Sequence, residues 1–225
     1  MNKVIFRITT AGAAFICSPS LAQPTSVALP SQVPVVGQSA CEMHLWPAAR
    51  VSATTSGAGV MFGLIGGLID AASNANRNKR DKAFITGALD AGAQARALRE
   101  LNLPTLLNLP AANVITHEEG IELTSANTGR LAPPTASCYY DVVVRQLFYL
   151  KSMTTKGKMR TFIMVRGANG TGKLIDYKDS ANHALDVKMP EEGQDVTPAS
   201  SALINAFKAD VTEFSEKFVR KTSKS

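Results

Sequence analysis

The chain has 225 residues, a formal net charge of +6, three cysteines and three histidines. A charge this small argues against a nucleic-acid partner, which calls for a concentrated basic face. Mean hydropathy is close to zero (+0.01), and no uninterrupted apolar run reaches the roughly 20 residues a bilayer-spanning helix needs.

The first 22 residues read as a cleavable secretory signal. Lys3 and Arg7 form a positive start, Thr9 to Cys17 is short and mostly apolar, and Ser20-Leu21-Ala22 puts small residues where signal peptidase reads. Cleavage between Ala22 and Gln23 leaves 203 residues carrying +4, because Lys3 and Arg7 depart and no acid does. The expected location is therefore periplasmic or secreted. Ile16 is too large for the residue before a lipoprotein cysteine, so Cys17 is not read as a lipidation site. Residues 23–38 hold three prolines and no charge, and read as an extended linker. Residues 39–225 form one globular domain by length.

In 39–46, Cys41, Met43 and Leu45 alternate with Glu42, His44 and Trp46, the period of a half-buried strand stopped by Pro47. Residues 57–72 (GAGVMFGLIGGLIDAA) combine glycines with Met61, Phe62, Leu64, Ile65, Leu68 and Ile69. Glycine weakens a helix, by about 1 kcal/mol each in an interior, unless close backbone packing offsets that cost. This run carries more apolar surface than one core-facing stripe requires, and its six bulky residues are candidates for contact with a membrane or a partner chain. Arg77, Lys79, Arg80 and Lys82 follow it.

An alanine-rich helix is expected from Asp81 to about Leu101, with Phe84, Ile85, Ala88, Leu89, Ala95 and Leu98 at helical spacing. Pro104 and Pro110 break the chain, a short strand follows at about 113–117, and 119–136 reads as a loop. Three strands then follow at 138–150, 159–165 and 173–178. In the first, Cys138, Tyr140, Val142, Val144, Phe148 and Leu150 share one face, and Asp141, Arg145 and Tyr149 the other. The chain closes on an amphipathic helix capped by Thr197, with Pro198 in its first position and Leu203, Phe207, Val211, Phe214 and Phe218 as its apolar stripe. The fold class these elements predict is α+β: an antiparallel β-meander sheet covered on one face by helices, the C-terminal amphipathic helix among them.

The chemistry is sparse. Cys41 and Cys138, left after cleavage, read as one disulfide closing a loop of roughly 100 residues. They could instead form a zinc site with His44 and His117, but positions 41 and 44 of one strand point to opposite sides. Gly167 to Lys173 (GANGTGK) approaches a phosphate-binding loop, yet Leu174 replaces the magnesium-binding hydroxyl, and a strand pattern follows where that loop needs a helix. It reads as a hairpin turn, with no nucleotide partner. Lys151, Lys156, Lys158 and Arg160 surround the first hairpin turn and are a candidate anion patch.

No coherent catalytic set, metal site or cofactor motif emerges. The reading is a non-catalytic binding or accessory protein of the bacterial envelope, partnered by an envelope protein or a membrane surface and not by nucleic acid. The alternative is a periplasmic hydrolase or other enzyme built on His117 or His44, whose side chains otherwise sit exposed at strand ends.

Overall fold

The computed structural model describes residues 41–56, 79–110, 112–127, 131–132, 136, 138–152, 157–168, 172–185, 188–191 and 193–223. The expected signal peptide, the linker, the run 57–72 and Lys156 lie outside them. Among the described residues the strands are β1 (Cys41–Trp46), β2 (Val51–Ser56), β3 (Ala112–Thr116), β4 (Tyr139–Ser152), β5 (Gly157–Ala168) and β6 (Leu174–Leu185). The helices are α1 (residues 79–88), α2 (Ala91–Glu100), α3 (Leu103–Leu106), α4 (Leu123–Ala126) and α5 (Thr197–Thr222).

The fold is α+β, but the sheet is mixed. Its order is β3-β1-β4-β5-β6, with β2 also paired to β4. The antiparallel meander is confined to β4, β5 and β6, whereas β1 runs parallel to both β3 and β4, and β2 runs parallel to β4. Long helical crossovers are what parallel pairing requires, and α1 to α3 supply one between β1 and β3. β1 and β2 lie end to end along one side of β4: Glu42 pairs with Tyr139, and Val51 with Leu147.

The break between β1 and β2 is closed by a side chain. Gln94 of α2, fully buried, accepts from the Ala48 N–H at 2.9 Å and donates to the Ala48 carbonyl at 3.2 Å and the Leu89 carbonyl at 2.8 Å. The flanking backbone pairs the other way, with Ala49 N–H donating to Ile121 and Ile121 N–H to Pro47. The Gln94 amide therefore satisfies backbone groups that a neighbouring strand would otherwise meet.

One face of the sheet carries the main core. Met43, Leu45, Cys138, Tyr140, Val142 and Val144 pack there with the α5 stripe, whose five residues are each at most 1% exposed. A β-bulge between Val144 and Gln146, with Arg145 as the extra residue, changes which side chains follow onto that face. Leu147 and Tyr149 turn inward, while Phe148 is half-buried on the second face and Leu150 is 43% exposed. The expected side assignment of Phe148, Leu150 and Tyr149 is thus reversed.

Two helix expectations also change. The 81–101 helix is two helices, because Asp90 is extended and its carboxylate accepts from the Ala93 N–H at 2.7 Å as the N-cap of α2. Thr197 is the first residue of α5 and not its cap; the Asp195 carboxylate accepts its N–H at 2.9 Å.

A buried side-chain hydrogen bond joins α5 to the sheet. Thr161 of β5 donates to the Asp210 carboxylate at 2.6 Å, and both residues are fully buried. Burial pushes the Asp210 carboxyl up to about 6 and Glu213 adds to the rise, against the Thr161 bond, His183 and Lys217. A folded-state value above the unfolded 3.8 favours the protonated acid, so this contribution is full below that value and is lost as pH rises through about 6. Asp210→Asn is expected to raise stability by up to about 3 kcal/mol near pH 8 and to be neutral near pH 3. Urea unfolding at both pH values measures it. A variant less stable than the parent near pH 8 would contradict the assignment.

Candidate functional site

Alternation along β1 sends Glu42, His44 and Trp46 to the second face of the sheet. Strand register brings Asp141 of β4 opposite His44, and Arg166 of β5 opposite Asp141. His117, the residue after β3, joins them, its N–H bonded to the Leu45 carbonyl at 3.0 Å. Gly120 lets the loop after His117 lie this close, since a Cβ there would stand 2.4 Å from the Ala49 Cα.

The result is a polar cluster under partial cover. His44 Nδ1 and His117 Nε2 are hydrogen-bonded at 3.0 Å. Trp46 stacks on His117, with ring centroids 3.5 Å apart and planes within 5°, and its Nε1 donates to Asp141 Oδ1 at 3.0 Å. The Glu42 carboxylate lies 3.7 Å from His44 Nε2, and Arg166 Nε lies 3.8 Å from Asp141 Oδ2. Glu42, His44 and Asp141 are all buried. Beside them Val143, Met164, Ile121 and Ala126 form a second small core, against which Trp46 and Leu131 pack.

A hydrogen bond between two imidazoles needs one N–H and one lone pair, so at least one ring is neutral. Burial, and then the charge of His44, hold His117 below its ordinary value, while Asp141 and Glu119 pull the other way. Chemistry on a substrate needs in addition a cleft that brings the reacting group within reach. Two open, shallow clefts lie among the described residues, one lined by Leu106, Glu216, Val219 and Arg220, the other running from Leu107 to Tyr140 and Phe218. Neither touches His44 or His117.

The expectation that these histidines sit exposed at strand ends is corrected: His44 is 6% exposed, His117 is half-buried, and they bond to each other. What one sequence could not supply was the partner of the 113–117 strand. Placing β3 in parallel beside β1 brings together residues 73 apart. The polar residues at Glu42/His44 and at Asp141/Arg145 are the signals in the sequence of a polar second face.

Cys41 and Cys138 are bonded, with Cα atoms 4.5 Å apart, and lie on the main-core face away from His44. A shared zinc site is thereby ruled out by geometry. Among the described residues, no three His, Cys, Asp or Glu side chains are placed to hold a metal ion.

The GANGTGK segment joins antiparallel strands, Ala168 pairing with Leu174 across it, and Gly172 has a left-handed φ of 79°. A strand follows where a phosphate loop requires a helix. Of the candidate anion patch, Lys158 and Arg160 are exposed on the second face of β5. Arg160 donates to Ser180 Oγ at 3.1 and 2.9 Å and lies 4.7 Å over the Phe162 ring. Lys151 follows Leu150 on β4 and belongs to the opposite side.

Comparison with known proteins returns little. No protein family matches this chain, and no curated protein matches it. Among solved structures, the hypothetical protein CT253 from Chlamydia trachomatis is similar over 82% of this chain and 96% of that one, with 9% identity and a TM-score of 0.29.

Proposed function

We propose that this chain is an exported, non-catalytic binding protein of the bacterial envelope. The observation that carries the reading is the Cys41–Cys138 bond, which ties the starts of two adjacent parallel strands inside the main core. Such a bond persists in an oxidising compartment and is rare in a reducing cytosol. It agrees with the secretory signal read in residues 1–22. The histidine pair is assigned a structural role: its hydrogen bond pins the end of the edge strand β3 to β1. The test is fractionation of cells producing the full chain, followed by N-terminal sequencing. The expected result is a chain in the envelope or external fraction beginning at Gln23. A chain that stays in the cytoplasm with its first 22 residues attached contradicts the proposal.

A further inference from the structure

β3 closes the sheet at one edge and, among the described strands, is bonded to β1 alone. None of its five residues is fully buried, and Asn113 and Val114 are exposed. Apolar burial therefore holds this strand weakly. Its end is held by His117 instead. The His117 N–H donates to the Leu45 carbonyl at 3.0 Å, the ring bonds to His44 at 3.0 Å, and one ring face lies on Trp46 at 3.5 Å.

The charged groups around the two rings come from several elements. On β1, the Glu42 carboxylate lies 3.7 Å from His44 Nε2. On β4, Asp141 stands opposite His44 and, with Glu119 in the turn after β3, favours a proton on His117. Arg145, also on β4, bonds to Asn127 at 2.8 Å, and Arg166 of β5 lies 3.8 Å from Asp141. Arg99 of α2 pairs with Glu118 at 3.6 Å, and Glu122, just before α4, with Arg50 at 3.0 Å.

One added proton leaves the pair intact, because a charged ring still donates to the lone pair of its neutral partner and the carboxylates offset the charge. A second proton does not. Both rings then carry only N–H groups, and no lone pair remains between nitrogens 3.0 Å apart. His44 is 6% exposed, so solvent screens the repulsion little. We propose that the His44–His117 pair is an acid-released clasp: the second proton parts the rings and frees His117 and the end of β3 from β1. The rest of the sheet keeps its supports, since Cys41–Cys138 ties β1 to β4 and the β4–β6 meander packs against α5.

Burial, and then the charge of His44, hold His117 below 6.5, so the exposed ring of the released chain takes up its proton first as pH falls. The clasped state is therefore fully favoured above 6.5 and loses ground below it, by up to about tenfold per pH unit for each extra proton the released state binds. The Asp210 contact titrates nearby with the opposite sign: acid strengthens it, so it cannot cause the loss.

The test is hydrogen exchange of the disulfide-intact chain at about pH 7.5 and about pH 4.5, read by mass spectrometry and corrected for the intrinsic rate. Amides of residues 112–120 should lose protection at least about tenfold at the lower pH, while those of β4, β5 and α5 keep theirs. Trp46 is the only tryptophan, so its emission should shift to the red over the same range as the indole meets water. His44→Gln and His117→Gln each place in the pair a side chain that takes no proton, and either should remove the pH dependence. Far-UV circular dichroism at the higher pH checks that each is folded, and if one is not, the other decides. His183→Gln, at the exposed third histidine, should leave the transition unchanged. Unaltered protection in 112–120, a transition that survives in a folded glutamine variant of the pair, or one that His183→Gln removes would overturn the inference. Loss of protection across the whole chain at a single midpoint would overturn it in favour of global acid unfolding.

Discussion

Replacing Cys41 and Cys138 together by alanine is expected to lower folding stability by about 4 kcal/mol. The bond links residues 97 apart, and the chain-entropy model gives about 4.7 kcal/mol for a loop near 100 residues, within the 2–5 kcal/mol typical of native disulfides. Both cysteines are buried, at 6% and 1% exposure, so each alanine leaves only a sulfur-sized space behind. The physical effect lies mostly in the unfolded chain, which regains the freedom to separate the starts of β1 and β4. For a domain of this size the melting temperature should fall by about 10 °C. Thermal and urea unfolding of the double variant measure both quantities. A loss below about 1 kcal/mol would show that the bond constrains little.

Gln94→Leu is the second large effect. Leucine keeps nearly the same volume, so the substitution isolates the hydrogen bonds from the packing. It removes the partners of the Ala48 N–H and carbonyl and of one bond to the Leu89 carbonyl, all buried with the side chain. Leaving buried polar groups unsatisfied costs about 1–3 kcal/mol each, and a total of about 4 kcal/mol is expected. Urea unfolding with an unchanged slope would attribute the loss to the native state. A loss under about 1 kcal/mol would mean that water replaces the amide in the gap between β1 and β2.

The strands most legible in the sequence were those whose alternation stands alone. The long strands at 138–150 and 159–165 and the stripe of Phe207, Phe214 and Phe218 declared themselves through period and turn chemistry. Val51–Ser56 did not, because Ser52, Thr54, Thr55 and Ser56 carry little apolar contrast and Pro47 suggested that the strand had ended. Pairing direction was not legible either. Whether β1 runs parallel or antiparallel to β4 depends on which distant segment lies beside it, and nothing in the alternation of Cys41 to Trp46 encodes that.

The bulge at Arg145 shows a subtler limit. A single extra residue reverses the period-two pattern, so reading straight through 138–150 put Tyr149 on the wrong face. The disulfide was readable by elimination, because cleavage of the signal read in residues 1–22 would leave only Cys41 and Cys138. The histidine pair was not, because the pairing arises from β3 lying beside β1 and not from any spacing in the chain.

The most direct test of the central claim is the intact mass of the chain recovered from the envelope fraction without reductant. The account predicts a polypeptide that begins at Gln23 and is two hydrogens lighter than the same polypeptide after reduction, the signature of one Cys41–Cys138 bond in an exported protein. A species that retains Met1 to Ala22 and shows no mass change on reduction would contradict both the compartment and the proposed function built on it.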